Sequence, residues 1–156
     1  MLSDTLRLRL WALWNIPLIA LVRPSVVHLT EDSCELRLPL SRRTRNHLGS
    51  MYFGALCIGA DAAAAVIGLK AAEASGYRIS FIFKDVHGEF LKRPEADVHF
   101  ACSQGREIRQ LLDKAQASGE RESMPVHVVA TVPTLFGAEP VARFLLTLSV
   151  KRRSAA

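Results

Sequence analysis

Cysteine is scarce in this chain: Cys34, Cys57 and Cys102 are odd in number, far apart, and form no C-x-x-C pair. A disulfide framework and a cysteine-based metal site are thereby disfavoured, and reduced, buried thiols in a cytoplasmic protein are the expectation. His28, His87, His99 and His127 lie in or beside alternating stretches without pairwise ligand spacing, so no metal site is expected. The glycine patterns of a nucleophile elbow, a P-loop or a dinucleotide-binding turn are missing. Aromatic residues make up only 7% of the chain and its basic residues are scattered, which argues against a nucleic-acid interface.

Uninterrupted apolar runs of membrane-spanning character are also missing. Leu10 to Val22 is broken by Asn15 and Pro17 and is too short to cross a bilayer. It lacks a small-residue cleavage site after it, so it reads as part of the fold. Residues 46–69 are longer, but they hold four glycines, six alanines and the charge of Asp61. A buried helix suits them better than a membrane span.

What remains is the composition of one globular domain: 156 residues, 49% hydrophobic, with a formal net charge of +5. The excess of Lys and Arg favours polyanionic partners, including a phosphate-bearing substrate. Residues 4–22 read as a helix interrupted at Pro17. Residues 25–40 read as a hairpin turning at Glu31-Asp32-Ser33, with Cys34, Leu36, Leu38 and Leu40 on one face. A basic loop, 41–45, leads to a helix from about Ser50 to Ala74 that Ser75-Gly76 closes. Strands are then expected over 78–90 and 97–102 as neighbours, a short helix over 107–117, and strands over 126–132 and 141–150. The expected architecture is α+β, an antiparallel sheet of five or six strands wrapped round one long helix. An open sheet edge favours a homodimer or a dimer of dimers.

Counting His47 as neutral, Asp61 is the one formally charged side chain between Arg45 and Lys70. A carboxylate on an apolar helix needs hydrogen bonds, a wet cleft or a raised pKa, and such groups are often functional. It could equally cap a loop or face water at a subunit interface. Gly54, Cys57, Ile58, Asp61, Ala65 and Gly68 share one face of mostly small residues, which would admit a narrow substrate chain, a partner's backbone or close sheet packing. Unpaired N–H groups at the helix start, near Tyr52, Phe53 and Gly54, suit a developing oxyanion.

The stretch Asn46 to Leu56, followed by Ala60-Asp61, resembles the central-helix motif of hotdog-fold thioesterases. The spacing of Asn46 and Asp61, fifteen residues, is similar to that of the phenylacetyl-CoA thioesterase group. The basic loop, Asn, Gly, aromatic-Gly and Asp order is similar to an uncharacterised thioesterase-like branch, and the resemblance covers nearly the whole chain as a single domain, 1–156, with 1–24 a helical segment. It implies that Phe53 and Gly54 polarise a thioester carbonyl through backbone N–H groups. Asp61 would be the general base or nucleophile, acting across a subunit interface, and Asn46 would orient the attacking water. The chain departs from the better-known His-Gly-Gly with Tyr52-Phe53-Gly54. The substrate implied is an acyl-CoA or acyl-carrier thioester, with coenzyme A as part of the substrate and no separate cofactor. Its phosphates would meet Arg42, Arg43 and Arg45, or else Lys92 and Arg93, or Lys151 to Arg153. The alternative is a hotdog module that binds acyl-CoA with little turnover.

Overall fold

The structure is a computed structural model that describes residues 3–153. The first two and last three residues of the expected domain lie outside the described residues. Helix α1 spans Asp4–Asn15 and α2 spans Pro17–Leu21. Ser3 caps α1 through its side chain, and Pro17 stands at the start of α2, where its missing N–H costs nothing. The proline therefore begins a helix as well as ending one. Strands β1 (Ser25–Leu29) and β2 (Cys34–Leu38) form the expected hairpin.

Helix α3, Phe53–Ser75, begins three residues later than the composition suggests, because Met51 is drawn into a bridge with Arg45. Gly76 ends it in the left-handed conformation, φ 66°, that a glycine takes without strain. Then come β3 (Ile79–Phe90), β4 (Val98–Cys102), α4 (Gly105–Ser118), β5 (Glu122–Thr131), the single turn α5 (Pro133–Phe136) and β6 (Pro140–Arg152).

The six strands form one antiparallel sheet in the order β1-β2-β4-β5-β6-β3. The expectation that β3 and β4 are neighbours is incorrect. β3 pairs with β6 at the far edge, and β4 lies between β2 and β5. Length explains this: a 12-residue strand finds a full ladder on the 13-residue β6, whereas β4 has only five residues. Residues 91–97 carry the chain from that edge back across the sheet.

α3 is apolar around most of its circumference, so it must be covered on several sides. The sheet covers one side and α4 and α2 flank it, which makes it the core helix although its length and apolarity would let it cross a bilayer. Leu36, Leu38, Val98, Phe100, Val126 and Val128 point at it from alternating strand positions, and all are buried. Burial pushes the thiol of Cys34 up to about 12 and that of Cys102 upward, as fits free cysteines serving as core residues.

α4 docks on the β1–β2 turn by backbone contact. The Gly105 N–H donates to the Asp32 carbonyl at 3.0 Å, and Arg109 donates to the Glu31 carbonyl and the Asp32 carboxylate at 2.5 and 2.7 Å. A Cβ at Gly105 would stand 2.1 Å from the Glu31 carbonyl oxygen and 2.6 Å from the Asp32 Cα. Backbone cannot rotate aside as a side chain can, so Gly105→Ala is expected to cost about 1–3 kcal/mol. Thermal melts read this directly, and an unchanged melting temperature would show that the turn yields.

Candidate functional site

The loop before α3 is held by its own polar groups. Thr44 is buried, its hydroxyl donates to the Pro39 carbonyl at 2.7 Å, and it accepts from the Ser41 N–H at 2.9 Å. The Asn46 side-chain oxygen accepts from the N–H groups of Leu48 and Ser50, at 2.9 and 3.2 Å, and its amide donates to the Ser50 hydroxyl at 3.0 Å. Two backbone bonds then set the helix entry: Met51 donates to the Pro94 carbonyl at 2.8 Å, and Tyr52 to that of Thr44 at 2.7 Å. Arg93 adds a bond from the crossover to the Leu48 carbonyl at 3.0 Å. The loop is thus pinned at both ends, and Asn46 is one of its pins.

The first intrahelical bond of α3 runs from the Leu56 N–H to the Tyr52 carbonyl. The N–H groups of Phe53, Gly54 and Ala55 precede it without an intrahelical partner, and no side chain caps them. Gly54 lets the Tyr52 ring lie against the helix start, 2.5 Å from where a Cβ would stand, so a larger residue there would push that exposed ring aside. The rings of Tyr52, Phe53, Phe90 and Phe144 follow one another at centroid distances of 4.8, 6.3 and 5.9 Å. They make an aromatic wall from the helix start to the far end of β3, with Phe53 57% exposed.

Two turns along the helix, Asp61 is half-buried, as are Gly54, Cys57, Ile58 and Ala65 on the same face, while Gly68 is covered by Phe81. No hydrogen bond or ion pair among the described residues involves the Asp61 carboxylate, and burial raises its pKa above the ordinary value of 3.8. The charged form loses hydration that nothing on the protomer replaces. Seven residues of helix place Asp61 about 10 Å along the axis from Gly54. One protomer therefore does not bring its carboxylate to its own free N–H groups.

Arg42 and Arg43 line an open cleft of about 770 Å³ together with Arg9, Arg23, Ser25 and Arg37. Arg45 does not line it. Of its five arginines only Arg37 has a carboxylate near, Asp97 at 3.7 Å. Arg23 is the one described non-glycine residue with positive φ, 55°, a conformation that costs an L-residue on the order of 1 kcal/mol. Sequence reasoning missed Arg9, Arg23 and Arg37. Only Arg37 left a signal, as an outward position of an alternating strand whose inward positions are apolar. Three of the other basic groups are engaged elsewhere: Lys92 pairs with Glu139 at 2.7 Å and lies over the Phe136 ring, Arg93 pairs with Glu95 at 3.2 Å, and Arg152 donates to the Gln116 carbonyl at 3.2 Å. Among the described residues no group of three His, Cys, Asp or Glu gathers as metal ligands would.

A family model described as a domain of unknown function, DUF4442, matches residues 7–150. The chain belongs to that family. Similar solved structures include a Pseudomonas aeruginosa protein of unknown function, PA5026, called a probable thioesterase. It is 22% identical, with a TM-score of 0.79 over 98% of this chain and 99% of that one. A Chlorobaculum tepidum protein of unknown function superposes with a TM-score of 0.83 at 11% identity, covering 96% of this chain and 94% of the other. The Haemophilus influenzae thioesterase HI1161 does so with 0.66 at 15% identity, covering 97% and 93%. No curated protein matches the chain. These likenesses, with the six-stranded sheet round α3, make this DUF4442 chain a hotdog fold.

The desolvated carboxyl carries a stability consequence. Because the folded-state pKa of Asp61 is raised, its contribution is most favourable below the unfolded pKa and is lost as pH rises through the folded value. Asp61→Asn removes that loss, so the variant is expected to melt as high as the parent or higher at neutral pH. The difference should vanish in acid. Melts across pH check both; a variant that melts lower at neutral pH would mean that the carboxylate is paired.

Proposed function

We propose that this DUF4442 protein hydrolyses an acyl-CoA or acyl-carrier thioester in a site shared by two subunits. The observation that carries this reading is the solitary Asp61, desolvated and without a partner, on the same helix as three free N–H groups. The N–H groups of Phe53 and Gly54 would polarise the thioester carbonyl. A carboxylate from the second subunit would either take a proton from water attacking the carbonyl carbon or attack that carbon itself. In the first route the carbon–sulfur bond breaks and the proton taken from water passes to the leaving thiolate. In the second the thiolate leaves first, and water then cleaves the mixed anhydride, freeing the acid and the Asp61 carboxylate while its proton goes to the thiolate. Raising the pKa of Asp61 makes its ionised form a better base near neutral pH, as general-base chemistry needs. Asn46 would orient the water from its pinned loop, using the part of its amide that Ser50 does not engage. Arg42 and Arg43, with Arg37 beside them, would meet the phosphates, while Arg45 would stand outside that contact.

The second subunit would join through β3. That strand is a sheet edge 12 residues long, with Ile82, Val86 and Phe90 exposed along it, whereas the other edge, β1, has five residues and is flanked by α1. A long apolar edge invites pairing with another chain. It also continues into the aromatic wall beside the helix start, so pairing there would bring two copies of the site together.

A binding module without turnover is favoured by one observation, the crowding of the helix start by Tyr52 and Phe53. A panel of acyl-CoA esters with a thiol-reactive dye separates the two readings. Turnover is expected, and Asp61→Asn should lower it by roughly two or more powers of ten, the scale of general-base catalysis. Light scattering should give at least a dimer, and Ile82→Lys with Val86→Lys should reduce the mass to a monomer and abolish turnover together. Turnover unaffected by Asp61→Asn would overturn the assignment.

A further inference from the structure

Helices α1 and α2 are apolar on the side that faces away from the fold as well as on the side that packs into it. Leu8, Ala12 and Ile19 are buried, as an amphipathic cover requires. On the other side Leu6, Leu10, Leu13, Trp14, Leu18 and Leu21 are between 41% and 84% exposed. They recur at helical spacing within each helix, so both α1 and α2 carry an outward apolar face. Six large apolar side chains exposed on two adjoining helices are more than scattered surface residues, and an exposed patch of this kind marks an interaction surface.

The charge beside the stripe indicates what covers it. Over residues 3–24 Arg7, Arg9 and Arg23 stand against one acid, Asp4; Arg7 is paired with Glu73 at 3.3 Å, whereas Arg9 and Arg23 have no carboxylate near among the described residues. Arg9 donates to the carbonyls of Pro24 and Arg23 and to the Ser25 hydroxyl, at 2.8, 3.3 and 2.8 Å, so its charge is fixed in place without a carboxylate to cancel it. Arg9 and Arg23 continue into the cleft that Arg37, Arg42 and Arg43 complete. A second copy of the chain fits this face less well, because α1 flanks β1, and β1 and β3 are opposite edges of the sheet. Dimerisation through β3 would leave α1 and α2 uncovered.

We propose that α1 and α2 form a docking surface for an anionic lipid bilayer. The leucines and Trp14 enter the boundary between headgroups and acyl chains, where an indole ring is favourably placed, and the arginines face the headgroup phosphates. The 12 residues of α1 span about 18 Å, too little for the hydrocarbon thickness, so the helix lies along the surface and does not cross it. The docking is independent of whether thioesters are turned over.

The chain's two tryptophans, Trp11 and Trp14, both lie on α1, so intrinsic fluorescence reports on this face alone. Titration with vesicles of equal parts phosphatidylcholine and phosphatidylserine should shift the emission to the blue and bring the protein down with the vesicles on centrifugation. Pure phosphatidylcholine or high salt should weaken both effects. The triple variant Leu13→Gln, Trp14→Gln, Leu18→Gln changes only exposed side chains. It should keep the parent's melting temperature and lose about tenfold or more in co-sedimentation. Parent protein that stays in the supernatant with unshifted emission would overturn the proposal. So would a variant that binds vesicles as the parent does but has a smaller mass in lipid-free solution, since a second copy would then be the occupant.

Discussion

A helix of 23 residues with one acid in its first seventeen positions and apolar side chains around most of its surface cannot stand in water, and the rest of the fold answers that constraint. Alternating strand positions supply large side chains where the helix has small ones. Gly59 leaves room for the Phe100 ring, 2.4 Å from where a Cβ would be, and Gly68 does the same for Phe81. Those close approaches bring the sheet near enough to exclude water from the faces that carry no charge. The half-buried face is what remains, and it holds Asp61. Core packing and site are thus set by the same helix: the small residues that let the sheet close over it also determine where the carboxylate is left partly open.

Much of this could be read from the residues. The period-two run Cys34, Leu36, Leu38 is a strand facing the core, and Gly76 closes α3 in left-handed geometry where glycine was expected to close it, as Gly119 closes α4. The isolated position of Asp61 also showed in the sequence, because a lone charge in an apolar helix is visible without coordinates. Strand neighbours were not readable, since β3 and β4 are adjacent in sequence and only the ladder length of β6 separates them in space. The arginine cleft was half hidden for a similar reason. Arg42 and Arg43 stand together in the chain, but Arg9 and Arg23 reach them only after α1 and α2 fold back along the hairpin. Asn46 could be placed before the helix by its motif, yet the three bonds it makes to its own loop depend on backbone turns that no spacing rule gives.

The sheet has two edges with different characters. β1 is short and partly covered by α1, whose outward leucines and Trp14 make a second apolar surface. β3 is long and bare, and it ends beside the aromatic wall at the start of α3. Association at β3 and lipid at α1 would use separate parts of the molecule, so neither excludes the other. The distance of about 10 Å between Gly54 and Asp61 along one helix ties the proposed chemistry to association, because a shared site needs the carboxylate of one subunit over the N–H groups of the other.

The central claim is that the Asp61 carboxyl is desolvated and unpaired. Carbon-13 NMR of the carboxyl, assigned by comparison with Asp61→Asn, measures its titration directly. The account predicts a midpoint above 3.8, the ordinary value from which burial raises it. A midpoint at or below that value would show a carboxylate held by hydrogen bonds or a cation, and would contradict the account.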